Sequence, residues 1–138
     1  MLVAEALRTR GRLLLESTQL NLEIATEALE EGEHELSRRA SAIAERRALP
    51  SGRAQELFIE AWDLIRRNVD LAQPAIYGSR LEEARERLWR DATDAPTLAL
   101  ALALDCGIWT ADRDFFGCSV AVWSTETLLW WTRRAQSP

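Results

Sequence analysis

Apolar and polar positions run along this chain in two rhythms, one of period two and one of period three to four. "LNLEIA", residues 20–25, alternates and predicts a strand, while residues 2–16 before it predict a helix with Leu7 and Leu14 among its apolar positions and Gly11 as its weak point. Thr26 opens "TEALEEGEHELSRRASAIAERRAL", in which Glu and Arg recur at the three- and four-residue spacings of a half-solvated helix. Pro50 and Gly52 end it. "RAQELFIEAWDLIRR" predicts an amphipathic helix with Leu57, Ala61, Leu64 and Ile65 on one side. "NVDLA" is short enough for a strand that Pro74 closes, and "SRLEEARERLWR" is helical by propensity and by its Glu/Arg pairing.

"DAPTLALALALDCGIWTADRDFFG" then poses a choice, because "LALALAL" has the period of a strand. Ala and Leu are strong helix formers, however, and Asp94 stands in N-cap position, Pro96 in the first turn and Gly107 just past the end, so a helix is predicted. Apolar all round, that helix should be buried, its alanines allowing close approach. "GIWTAD" and "VAVWST" read as strands, and Thr125 as the cap of a last helix, "ETLLWWTRR". Strands alternating with helices predict one α/β domain, residues 1–138, with a mainly parallel sheet.

Composition narrows the setting. The 138 residues are 47% hydrophobic and 28% charged, enough for one core, and the longest apolar run, residues 98–104, is far too short to cross a bilayer. Together with the early Glu5, Arg8, Arg10 and Arg12, this predicts a cytoplasmic protein with no membrane segment. Cys106 and Cys118 lack CxxC spacing and are expected to be reduced, packed thiols. Net charge is -5, but all 17 basic residues are arginine, whose planar fork suits phosphate and stacks on bases. An acidic protein of this kind can still carry arginine patches for nucleic acid around an acidic centre.

Acids gather where such a fold binds ligands, at the C-terminal ends of strands and the N-termini of helices. Glu27, Glu30 and Glu31 lie early in the helix after "LNLEIA", Asp91 and Asp94 at the start of the apolar helix, and Asp112 and Asp114 at the end of "GIWT". Carboxylates crowded together resist ionising unless a divalent cation neutralises them, and an all-oxygen set suits Mg2+ or Mn2+ rather than zinc. Such ions can activate water and stabilise a leaving oxygen in phosphodiester hydrolysis. Each acid also has a purely structural reading: Asp94 as an N-cap, Asp112 and Asp114 as turn residues, the glutamates as a solvated face.

Taken together, "DAPTLALALALDCGIWTADRDFFGCSVAVWSTETLL" resembles the C-terminal half of the PIN-domain family, metal-dependent nucleases that include toxin-type (VapC-like) members of toxin–antitoxin pairs. An Asp opens a small-residue helix; a strand ends in Thr-x-Asp; Asp-Phe, Gly and a Trp-Ser/Thr strand end follow. Residues 91–129 carry the resemblance strongly and residues 2–48 more weakly. It implies a three-layer α/β/α fold and a metal-dependent endoribonuclease acting on an RNA substrate. It also implies catalytic roles for Glu31, Asp94, Asp112 and Asp114, with Asp94, Asp112 and Glu31 on Mg2+ or Mn2+ and Thr110 in support. By spacing to Leu36 the second acid of the family falls on Glu31, with Glu30 and Glu27 as the other choices. A homodimer and a cognate antitoxin are implied as well. Family members begin with an apolar strand ending in Asp, followed by a run like "VLVAEALR"; here "MLVAEALRTRGR" stands where that strand has already ended. The first strand and first Asp are therefore expected to be missing, through a start site lying upstream or through degeneration to an inactive RNA- or protein-binding module. A structure-specific DNA nuclease would use the same acids.

Other features add less. His34, the lone histidine, sits in a Glu-rich helix and reads as a surface residue, and the isolated Gly78 and Gly117 as turns. Arg38, Arg39, Arg46 and Arg47 form one candidate RNA contact, and Arg133 and Arg134 beside Trp130 and Trp131 another. "LLWW" is read first as packing of the last helix on the sheet or across a homodimer.

Overall fold

The computed structural model describes residues 1–135. Among the described residues, eight α-helices and four strands follow one another as α1 (Leu2–Ala6), α2 (Thr9–Leu15), β1 (Glu23–Ala25), α3 (Thr26–Arg46), α4 (Arg53–Asn68), β2 (Asp70–Ala72), α5 (Pro74–Tyr77), α6 (Leu81–Arg87), α7 (Ala95–Leu104), β3 (Ile108–Trp109), β4 (Val122–Trp123) and α8 (Thr125–Ala135). The order of helices and strands is that of an α/β chain. The sheet, however, is not one surface: β1 pairs in parallel with β2, β3 pairs in parallel with β4, and no ladder joins the pairs among the described residues.

The expected helix over residues 2–16 is two helices. Leu7 ends α1, Arg8 is extended, and α2 turns back across α1. Gly11, expected to weaken a helix, is what lets the two cross: a Cβ there would lie 2.3 Å from the Glu5 carbonyl oxygen. Arg12 Nε donates to the Ala6 carbonyl at 2.8 Å, and Arg8 pairs with buried Glu5 at 3.1 Å, so polar groups at the crossing are satisfied. Gly11→Ala is expected to push α1 and α2 apart and cost about 1–3 kcal/mol, read as a shift in the urea midpoint.

α7 is a helix as predicted and fills the larger of the cores. Ala95, Leu98, Ala99, Leu100 and Ala101 are buried against Ala25, Ala72, Tyr77, Ile108 and Phe115, which places α7 beneath both strand pairs. Its last turn emerges, with Leu104 37% exposed, so it is not enclosed along its whole length. It stops at Asp105, in left-handed conformation at φ 51°, two residues before the expected Gly107. Gly107 serves another purpose, since a Cβ there would meet the Trp123 Nε1 at 2.6 Å, so only glycine lets β3 lie this close to that indole.

Three further expectations are corrected. The cap of α8 is Ser124, not Thr125: Thr127 N donates to Ser124 Oγ at 3.2 Å while Ser124 N donates to Thr127 Oγ1 at 2.9 Å, a reciprocal capping arrangement. Thr125 is instead buried and accepts from Trp109 Nε1 at 3.1 Å. In "LLWW" the leucines pack, Leu128 and Leu129 joining Leu14, whereas Trp130 and Trp131 remain 59% and 40% exposed, which corrects only the half of the expectation that put them on the sheet. Cys118 is packed but Cys106 is exposed, and both are free thiols. No helix is long and apolar enough to cross a membrane among the described residues.

Candidate active site

The acids of the sequence motif stand on three segments that α7 ties together. Asp94 ends a short 3-10 turn, Ala92–Asp94, that runs straight into α7. Its carboxylate makes no capping hydrogen bond, so the simplest structural reading of this residue fails. The capping role falls three residues earlier, on Asp91, which accepts from Thr93 N at 3.0 Å and Thr93 Oγ1 at 2.5 Å. These bonds hold the Asp91 carboxyl below the usual carboxylate range.

Asp94 is half-buried and moves the other way. Burial comes first, and then the negative charges of Asp91, Asp112, Glu31 and Asp114 in that order, raising its carboxyl from 3.8 to about 6. Residues from α3, from the turn before α7 and from the loop after β3 therefore share one electrostatic neighbourhood. Among the three glutamates left open by the sequence, Glu31 acts on Asp94. Glu27 accepts a hydrogen bond from the buried Tyr77 hydroxyl. Asp91, noted in the sequence but given no role there, is the strongest charged neighbour; its place three residues before Asp94 was the available signal.

The loop carrying the remaining acids is braced from below. Thr110 is buried at the end of β3, and its Oγ1 accepts from Asp112 N at 3.0 Å. Asp112 then accepts from Asp114 N at 2.9 Å, opening the 3-10 turn Arg113–Phe115, whose Phe115 plugs into the core. Gly117 follows at φ 89°, a conformation that favours glycine.

Among the described residues no three His, Cys, Asp or Glu side chains close into a ready-made cage for an ion. The donor set nonetheless fits a hard divalent cation: it is all carboxylate, it is repelled in the absence of a counter-charge, and Mg2+ keeps several waters and needs only one or two carboxylates directly.

Of the groups given other roles by sequence, Arg38 and Arg39 are engaged by Glu35, and Arg46 Nε donates to the Ala42 carbonyl at 3.3 Å. His34 is exposed, as expected. Arg134 lies over the Trp130 ring at 4.9 Å, beside a cleft of about 340 Å³ that Arg10 and Arg133 also line.

Comparison with known families agrees with these observations: a family model described as PIN domain matches residues 1–132. The chain belongs to the PIN-domain family, a nuclease-type family whose members typically work with divalent metals. No curated protein matches it.

Proposed function

We propose that this chain is a toxin-type, VapC-like PIN domain, a metal-dependent endoribonuclease that hydrolyses RNA phosphodiester bonds. The observation that carries the reading is the Asp94 carboxyl, raised to about 6 by burial and by four surrounding acids. A solvated structural acid has no need of such company, whereas a cation-dependent site does. Asp94, Asp112 and Glu31 would hold Mg2+ or Mn2+, which supplies positive charge against the phosphate and its departing oxygen. Thr110 Oγ1 fixes the Asp112 backbone, Asp112 fixes that of Asp114, and Asp91, kept ionised by Thr93, maintains the negative field.

The proposal extends to the sheet. β1 and β3 each pair on one side, Glu23 at the start of β1 lies near enough to help raise the Cys106 thiol just before β3, and the acids beyond their far ends meet at Asp94. A strand between them would merge the pairs into one sheet of a three-layer α/β/α fold, and the family's first strand, ending in its first Asp, suits that place. A single cytoplasmic domain that pairs through the exposed Trp130 and Trp131 and is held in check by an antitoxin completes the reading.

The test is cleavage of labelled single-stranded and structured RNA by this chain and by a form extended with the upstream-encoded residues, each with Mg2+, Mn2+ or a chelator. Cation-dependent cutting by the extended form supports the nuclease. No cutting with any cation, despite retained RNA or protein binding, establishes the alternative, a catalytically inactive binding module. Cutting of DNA in place of RNA would reassign the substrate.

A further inference from the structure

The loop acids do not stand alone at the surface. α6 leaves helical geometry at Leu88, which turns inward at 2% exposure and casts the next two residues outward. Trp89 is 76% exposed, and the Arg90 guanidinium lies over its ring at 5.0 Å. Across a cleft of about 160 Å³, the loop after β3 presents Arg113 and Phe116, the latter 65% exposed. Asp91 and Asp114 line the same cleft, so each exposed ring lies two residues from an acid of the candidate site.

Burying neither ring forgoes apolar stabilisation on both segments, and the two segments are otherwise firmly held. Arg87 Nη1 donates to the Cys118 carbonyl at 2.9 Å while Arg87 pairs with Glu83 at 2.5 Å, locking the end of α6 to the loop after β3. The Arg113 side chain, by contrast, has no hydrogen-bond or ion-pair partner among the described residues, and Arg90 has only the Trp89 ring. Two exposed rings, Trp89 with Arg90 over one face and Phe116, and the uncommitted Arg113 guanidinium are what unpaired bases and their phosphates require: bases stack on rings of any sequence context, and arginine neutralises backbone charge.

We propose that Trp89 and Phe116, with Arg90 and Arg113, form a stacking platform for unpaired bases of a single-stranded RNA, placing the adjoining phosphate at the acids around Asp94. The site is a positioning surface: it holds the strand and performs no chemistry. A paired duplex keeps its bases stacked on one another and cannot use it. This inference rests on the nuclease reading for the direction in which the strand runs, but its test reads binding alone.

The test is fluorescence anisotropy of a labelled single-stranded RNA on the Asp94→Asn protein in chelator, where cleavage plays no part. Trp89→Ala and Phe116→Ala are each expected to weaken binding roughly tenfold, with Trp89→Phe retaining most of it. Arg113→Gln should lower the slope of log affinity against log salt by about one. An abasic strand should bind as weakly to the parent as the intact strand does to Trp89→Ala. Ile59→Ala, an exposed apolar position on α4, should change nothing. Binding unaffected by Trp89→Ala, an equal loss on Ile59→Ala, equal affinity for duplex, or capture of a protein but no single strand would each overturn the platform. Intact platform binding with an extended protein that never cuts would leave it standing while the nuclease reading fell.

Discussion

Asp94→Asn is expected to raise the thermal midpoint of the metal-free protein by several degrees at pH 8 and to leave it unchanged near pH 4. The Asp94 carboxyl is held at about 6 in the folded protein against 3.8 for the free group, so between those values the folded state binds more protons than the unfolded state. Its contribution to stability is therefore full below about pH 4 and is lost as pH rises through about 6. Asparagine is neutral throughout and removes that loss at alkaline pH. Mg2+ or Mn2+ should do the same for the parent protein, raising its midpoint more at pH 8 than at pH 5, and should do far less for the variant. In an active, extended form the same substitution is expected to lower RNA cleavage by on the order of 10²–10⁴-fold, the usual scale for a group acting on the reacting centre. A pH-independent midpoint difference between parent and variant, or cleavage that survives, would remove Asp94 from the site.

Leu98→Ala should have the largest effect on folding. Leu98 is fully buried in the middle of α7, the helix that packs under both strand pairs and against α5 and α6. The lost burial and the cavity left behind cost about 2–5 kcal/mol, a large share of the roughly 5–15 kcal/mol that holds a domain together. Circular dichroism on heating should show a fall on the order of 10 °C. Leu104→Ala, at the emerging end of the same helix, should fall by far less. Equal losses at the two positions would mean that α7 is not the element joining the strand pairs.

Much of the architecture was legible because its signals are local. The Glu/Arg spacing of α3, the apolar side of α4 and the proline in the first turn of α7 each act within a few residues, and each element lies where these features put it. Strand positions were legible as centres but not as lengths: β3 and β4 keep only two residues each of their predicted runs, because a ladder lasts only as far as its partner does. The break between α1 and α2 was hidden, since nothing near Gly11 in sequence announces that the Glu5 backbone will lie against it.

The candidate site divides along the same line. Residue types and spacing by themselves placed Asp94, Asp112 and Asp114 at element ends and Thr110 just ahead of the latter two, where a strand stops. Only the tertiary structure brought the charge of Glu31 to bear on Asp94, made Asp91 its strongest charged neighbour, and set Trp89 and Phe116 on one cleft. The physical reason is one of range: caps, turns and helix faces are set by bonds a few residues long, whereas a Coulomb field or a shared cleft depends on distances that only the packing of α7 beneath the strands fixes.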